Sequence, residues 1–379
     1  MPKVLILTHI PSPYQVEYFN ALSRHDGHTV SVAYLYERSA ARFWEVTNVQ
    51  HESLFLNDER SRFESIEVLM PSVDLVVFNY YQHPNLTRLI KARANSGQAW
   101  CFWGERPGYW GFERLGTVYR KWKLAALHDA PVSIWGIGEW AVERYRREFG
   151  THRHYFNVPY YSDLDRFAPA QSRVCHRQGA LKFLYSGSLI HRKGVDLLAS
   201  AFGRLADEFP SIELDVVGEG ELRSSLERQL SKHQARVRFW GFKDWNELPA
   251  LYWNSDVLCV PSRHDGWGLV VPEGLAAGMP VIGTDRTGAA RELLSERNGW
   301  IVTAGDEECL YQAMRKAVVL PTCQFSELAS AARQTVSQHS LSGGVERFLC
   351  AVHGTLAAFD QKPLTILPSS SPSDEMKGC

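Results

Sequence analysis

No two cysteines in this chain are spaced as Cys-x-x-Cys, and the seven that occur (Cys101, Cys175, Cys259, Cys309, Cys323, Cys350 and Cys379) are scattered and odd in number. That distribution suits neither a zinc ribbon nor a disulfide framework, so a reducing, cytoplasmic setting is expected. Charge of one sign is not in surplus either: 41 Lys and Arg face 42 Asp and Glu, for a formal net charge of -1. A nucleic-acid partner is therefore not expected. Long apolar runs are missing, since nothing approaches the ~18 residues of a membrane-crossing helix. The opening residues Met-Pro-Lys-Val-Leu-Ile-Leu-Thr-His hold too short an apolar run to read as a signal peptide. No repeat with a period of about 20–50 residues is visible.

What the chain does have is alternation. Short β-branched and apolar runs take turns with longer amphipathic stretches, the mark of βα units around parallel sheets. A length of 379 residues suits two such α/β domains. Strands are expected at Val4–Thr8, Thr29–Leu35, Leu75–Asn79, Trp100–Trp103 and Val132–Gly136, then at Phe183–Ser186, Glu213–Val217, Val237–Trp240, Val257–Val260, Val281–Gly283 and Trp300–Val302. Helices fall between them, among them Leu115–Leu127 and Leu269–Ala277. The polar stretch Pro169–Gly179 reads as a linker. It divides an N-terminal domain (1–170) from a second domain (171–342), which is followed by a helical stretch (343–360) and a polar tail (361–379) expected to be disordered.

The densest chemistry lies in Pro261-Ser-Arg-His-Asp-Gly-Trp-Gly-Leu-Val-Val-Pro-Glu-Gly-Leu-Ala-Ala-Gly-Met-Pro-Val-Ile-Gly-Thr-Asp285. A buried strand runs into the loop Asp265-Gly-Trp-Gly268, which opens a helix whose free N–H groups can face an anion. Ligands of open α/β sheets sit beyond the carboxyl ends of the strands, where this loop must lie. Asp265 and Glu273 stand eight residues apart, one on the loop and one about a turn into the helix, and carboxylates accept strong hydrogen bonds from sugar hydroxyls. A purely structural account makes Asp265 an N-cap and Glu273 an acid that favours the helix dipole. A second constellation, Leu184-Tyr-Ser-Gly-Ser-Leu-Ile-His-Arg-Lys-Gly194, places Arg192 and Lys193 ahead of a helix, as a diphosphate requires. The bland alternative is two solvated surface cations.

Taken in order, Ser186-Gly-Ser-Leu-Ile-His-Arg-Lys-Gly194, Val216-Val-Gly-Glu-Gly220, Val237-Arg-Phe-Trp-Gly-Phe242 and the segment from Ser262 to Ile282 resemble the donor half of the family 4 retaining glycosyltransferases, the glycosyltransferase group 1 family. The resemblance covers most of Phe183–Val302 and implies the GT-B fold, two Rossmann-like domains facing a central cleft, with the first domain binding the acceptor and the last helical stretch packing back on it. It further implies that Lys193 and Arg192 hold a diphosphate, that Glu273 binds ribose hydroxyls, and that Asp265 contacts the donor sugar. Gly187, Ser188, Gly266, Trp267, Gly268 and Leu269 would complete the donor site, with Gly241 and Phe242 bordering the base. Two departures stand out: Asp265 occupies a position where the family usually has Glu, and Ser188 one where many relatives carry Arg.

The N-terminal half says less. His9, Pro13 and Tyr14 follow the first strand, Glu105 and Arg106 follow Trp103, and Tyr81, Trp103, Tyr109 and Trp110 make the loop ends aromatic. Aromatic faces stack on sugar rings and also fill cores. His9 and His128 are both candidates for the histidine that relatives place near the reacting sugar. Together with Asp265, Lys193 and Arg192, Glu105 is counted among the catalytic candidates. The expected activity is hexosyl transfer from a nucleoside-diphosphate sugar to a carbohydrate or glycoconjugate acceptor, as in polysaccharide biosynthesis, with no metal and no further cofactor. Asp163-Leu-Asp165 has the letters of a metal motif but lies in the interdomain segment. The alternatives are a sugar-nucleotide epimerase on the same fold, a non-catalytic nucleotide-binding subunit, and a dinucleotide oxidoreductase suggested only by Gly218-Glu-Gly220. The basic amphipathic stretch Arg114–Leu127 reads as a solvated helix face or as a peripheral rest on an anionic membrane.

Overall fold

The computed structural model describes residues 1–38, 48–107, 113–123, 125–169 and 180–361. Tyr109, Trp110, most of the linker and the polar tail lie outside them. Two parallel sheets organise the chain. The first contains β1 (Lys3–Thr8), β2 (Thr29–Tyr34), β3 (Glu52–Phe55), β4 (Leu75–Phe78), β5 (Trp100–Gly104), β6 (Ser133–Gly136) and β7 (Tyr155–Asn157), in the order β3-β2-β1-β4-β5-β6-β7. The second contains β8 (Leu181–Ser186), β9 (Ile212–Val217), β10 (Val237–Gly241), β11 (Val257–Val260), β12 (Val281–Thr284) and β13 (Gly299–Val302), in the order β10-β9-β8-β11-β12-β13. Both are doubly wound α/β arrangements. β4, β5, β6, β11 and β12 are buried along their whole length, because helices cover both faces of a parallel sheet.

This strand order decides where a ligand can sit. It reverses between β1 and β4 in one sheet and between β8 and β11 in the other, and the loops that leave those strands part company at each switch point, opening a crevice. The stretches following β1, β4, β8 and β11 are 9–12, 79–83, 187–190 and 261–269. They contain His9, Tyr81, Gly187, Ser188 and the run from Asp265 to Leu269.

All six expected strands of the second domain are present, whereas two in the first were not foreseen. β3 and β7 are short edge strands with only half-buried residues, and so carry little hydrophobic pattern. The expected helix over Leu115–Leu127 is instead two, Glu113–Lys123 and Ala125–Asp129. The helix Thr322–Ser337 was also unforeseen. Its buried positions Phe325, Ala329, Ala332 and Val336 keep helical spacing, but two of the four are alanines, a weak apolar signal.

The helix Leu341–Asp360 follows the second domain and lies against the first sheet. Phe348, fully buried, meets Tyr18, Trp103 and Trp135 with ring centroids 6.2, 6.0 and 5.2 Å away. The Tyr18 hydroxyl donates to the Gly344 carbonyl at 2.8 Å, and the Trp135 indole N–H donates to Thr355 Oγ1 at 3.0 Å. The last described helix is therefore part of the N-terminal core. Phe348→Ala should cost about 3–5 kcal/mol, read as a lower urea midpoint for the transition reported by tryptophan fluorescence. A midpoint unchanged from wild type would mean that the helix is dispensable to that core.

Candidate functional site

Beyond β8 the chain makes a short 3-10 turn, His191–Lys193, and Gly194 then starts the helix Val195–Glu208 with φ of 69°. Two requirements meet at Gly194. Its left-handed conformation strains any residue with a Cβ, and a Cβ there would lie 2.0 Å from the Pro261 carbonyl oxygen. Glycine thus lets the basic turn lie directly on the end of β11. Arg263 fixes the approach: its N–H donates to the Arg192 carbonyl at 2.9 Å, and its guanidinium grips Asp196 through bonds of 2.6 and 2.7 Å. Lys193 Nζ consequently reaches Asp265 Oδ2 at 2.5 Å. Arg192 stays beside the pair, its Nη1 donating to the His264 carbonyl at 2.9 Å.

Asp265 is mostly buried and held at both backbone ends. Its N–H donates to Arg286 O at 2.9 Å, its carbonyl accepts from Gly288 N–H at 3.2 Å, and the Trp267 carbonyl accepts from Ala289 N–H at 2.7 Å. Those bonds pin the loop to the one that follows β12. Among the described residues, no backbone hydrogen bond of this loop uses the N–H groups of Gly266, Trp267 or Gly268. These amides precede Leu269 and the helix Val270–Ala276. The Trp267 side chain is turned away from any ligand: it is 1% exposed, stacks on His339 at 5.6 Å and packs against Gly138. Trp267 thus contributes backbone to the site and its ring to the core. Burial, ahead of the nearby Arg106, pushes the His264 imidazole down to about 4, so it is neutral at ordinary pH.

Glu273 sits in the first turn of that helix and is 2% exposed. The Tyr252 hydroxyl donates to its Oε2 at 2.8 Å. Burial pushes the carboxyl up to about 7, opposed by the Tyr252 bond and Arg166 and reinforced by Glu17. Gly187 and Ser188 leave β8, with the Ser188 carbonyl accepting from the Tyr185 hydroxyl at 2.7 Å. Gly241 ends β10 and Phe242 follows it, 38% exposed, at the rim.

The first domain supplies the opposite wall, a cavity of about 420 Å³ whose lining includes His9, Tyr14, Asn79, Tyr81, Glu105 and Tyr160. His9 stacks on Tyr80 with centroids 4.5 Å apart, and Tyr14 lies 4.9 Å from Tyr160. Thr8 Oγ1 donates to Asn79 Oδ1 at 2.8 Å, and Asn79 Nδ2 to the Trp103 carbonyl at 2.9 Å, tying the floor of the cavity to three strands. Glu105 joins the two walls: a Cβ on Gly266 would lie 2.1 Å from its Oε2. Only glycine at 266 lets that carboxylate lie against the second domain's loop.

Three candidates from the sequence fall elsewhere. Trp103 is fully buried, its indole N–H donating to the Val158 carbonyl at 2.8 Å, and so serves the core rather than an acceptor face. His128 packs on Phe149 at 4.5 Å, behind the cavity wall, and burial lowers its basicity. Pro13 opens the helix Pro13–Ser23 next to the cavity and is not part of its lining. Arg106 lies at the domain boundary, its guanidinium carbon 4.1 Å from the Trp140 ring centroid, while Trp140 in turn faces His264 at 5.5 Å. Asp163 lies where the segments meet, its N–H donating to Glu17 at 3.0 Å. Sequence reasoning missed Asn79 and Tyr252. Asn79 had a legible signal, a polar residue at a strand's carboxyl end. Tyr252 had none, because only the fold brings its helix to Glu273.

Comparison with known proteins agrees with this fold. Residues 172–335 match the family described as "Glycosyl transferases group 1". A stretch of 163 residues, 42% of the chain, is 32% identical to a glycogen synthase of Mycobacterium tuberculosis and covers 39% of that protein. A stretch of 193 residues, 47% of the chain, is 26% identical to a "GDP-mannose-dependent monoacylated alpha-(1-6)-phosphatidylinositol monomannoside mannosyltransferase" of Corynebacterium glutamicum and covers 50% of it. The chain thus spans half or less of these two relatives. Of solved structures, Anabaena HepE in complex with UDP superposes with a TM-score of 0.75 over 93% of this chain and 100% of that one, at 17% identity. Residues 172–335 thus resemble a glycosyl transferases group 1 domain, and the chain's two parallel-sheet α/β domains share the GT-B fold of HepE.

Proposed function

We propose that the protein is a retaining glycosyltransferase of the hexosyltransferase type, moving a sugar from a nucleoside-diphosphate donor to an acceptor hydroxyl without a metal ion. The observation that carries this reading is the meeting of Lys193, Arg192 and Asp265 with the amides of Gly266, Trp267 and Gly268 at the β8–β11 switch point. Cations and backbone N–H groups there suit a pyrophosphate, and the two acids suit the sugars on either side of it. HepE has been solved with UDP and with UDP-glucose, which supports a donor of this class. An acceptor that is a carbohydrate or glycoconjugate suits the aromatic and amide-lined cavity opposite.

In this reading the bond from the anomeric carbon to the diphosphate oxygen breaks as the acceptor oxygen attacks from the same face. The acceptor's proton passes to the departing phosphate oxygen. Charge gathering on that diphosphate is met by Lys193, Arg192 and the loop amides, preorganised and largely out of water. To reach a sugar, Asp265 exchanges its bond with Lys193 for one to a donor hydroxyl. Glu105, lying between the acceptor cavity and Gly266, orients the acceptor hydroxyl, and Glu273 accepts from the ribose hydroxyls.

Two outcomes are expected. UDP or GDP should raise the melting temperature of the wild type, and Lys193→Ala and Glu273→Ala should each lower transfer by about a hundredfold or more. Wild-type turnover in both variants would overturn the assignment. Ionisation of Glu273 also links stability to pH. Its folded-state value of about 7 stands above the ordinary 4.5, so the folded chain binds the extra proton between those values. Stability from this group is full below the lower value and falls as pH rises through the upper one. Glu273→Gln, which keeps an acceptor for Tyr252, should therefore gain in melting temperature relative to wild type from about pH 5 to about pH 8. A difference that stays constant over that range would mean that the carboxyl is not held protonated.

A further inference from the structure

The helix Glu113–Lys123 turns an unusual surface outward. Val118 is 64% exposed, Tyr119 49% and Trp122 75%, although each would gain by burial. Tyr119 and Trp122 lie side by side with ring centroids 6.2 Å apart, and the Lys123 ammonium sits 6.0 Å from the Trp122 ring centroid. Lys121 is exposed between them. Arg120 turns the other way, buried and folded against Glu148 by bonds of 2.9 and 2.7 Å. Inward-facing Arg120 also helps line the acceptor-side cavity. The helix is thus a wall of the cavity on one side and an apolar, aromatic and basic surface on the other.

We propose that this outer face docks on an anionic phospholipid surface, and that the docking sets the cavity mouth beside the membrane so that it receives an acceptor carried by a lipid. The purpose rests on the cavity being the acceptor's place; the docking itself does not. Charge complementarity selects the occupant: the outer face carries Lys121 and Lys123, and no acid occurs from 116 to 123. Tyrosine and tryptophan rings settle at the headgroup level, where one part of the side chain is apolar and another is wet. Each lysine within reach of an anionic leaflet strengthens partitioning by about fivefold. Val118 and Trp122 supply the apolar anchor of an interfacial helix.

The test is cosedimentation of the full chain with vesicles of phosphatidylcholine alone or with about one-third phosphatidylglycerol. Wild type should bind the anionic vesicles and release as salt is raised, since surface charges are screened within about 10 Å at moderate ionic strength. Lys121→Glu with Lys123→Glu should weaken that binding by about twentyfold or more. Val118→Ser with Trp122→Ser should weaken it while leaving its salt dependence in place. In all variants the nucleotide-induced rise in melting temperature should equal that of wild type, which separates the membrane face from the donor site. Wild type that ignores phosphatidylglycerol vesicles, or binding untouched by both double variants, overturns the proposal. So does a wild-type dimer that Trp122→Ser dissociates, because the face then belongs to a second copy.

Discussion

The contact between Lys193 and Asp265 depends on two loops from neighbouring strands being closer than side chains ordinarily allow. An ion pair taken largely out of water loses hydration on both partners and is favourable only when its geometry is tightly held. Here the geometry is over-determined. Gly194 removes the Cβ that would strike Pro261, Arg263 bolts the basic turn to Asp196, and the bridge from Asp265 to the loop after β12 fixes the acid from behind. A site for a doubly charged ligand needs this stiffness. A flexible lysine would repay much of its attraction in lost freedom, whereas one already held by an acid exchanges one partner for another.

The same economy governs the boundary between the domains. Glu292 of the second domain accepts the N–H of Glu139 at 2.8 Å and that of Asn157 Nδ2 at 2.8 Å, so one domain satisfies an open donor at the start of the other's helix. Glu17 accepts from Arg166 and, at 3.1 Å, from Trp245 across the crossover segment. Glu105 lies against Gly266 at the middle of the crevice. Apolar packing runs beside these polar links: Trp140 faces His264 across the boundary at 5.5 Å, and Trp267 is wedged between Gly138 and His339.

Much of this was legible before any coordinates. The six strands of the second domain announced themselves because buried parallel strands are continuous apolar runs, and the two constellations read as loops at strand ends, where the fold brings Lys193 against Asp265. Where the sequence misled, the reason is physical. Trp103 at a strand end looks like a stacking platform, yet the pleat turns its ring inward. His128 has the chemistry of a catalytic residue but lies half-buried against Phe149, behind the cavity wall. Tyr252 is distant in sequence from Glu273 and meets it only through the order of strands in the sheet. β3 and β7, at the sheet margins, bury too little to leave a periodic trace.

The return of the helix Leu341–Asp360 to the first domain has a consequence for biosynthesis. A polypeptide leaves the ribosome from its amino end, and domains ordinarily close as they emerge. This first domain takes part of its core from the last described helix: Phe348 packs against Tyr18, Trp103 and Trp135, and Thr355 accepts from the Trp135 indole. The second sheet is made while the first domain still has an open aromatic flank. The first domain's core is therefore completed by a segment synthesised after the whole of the second sheet.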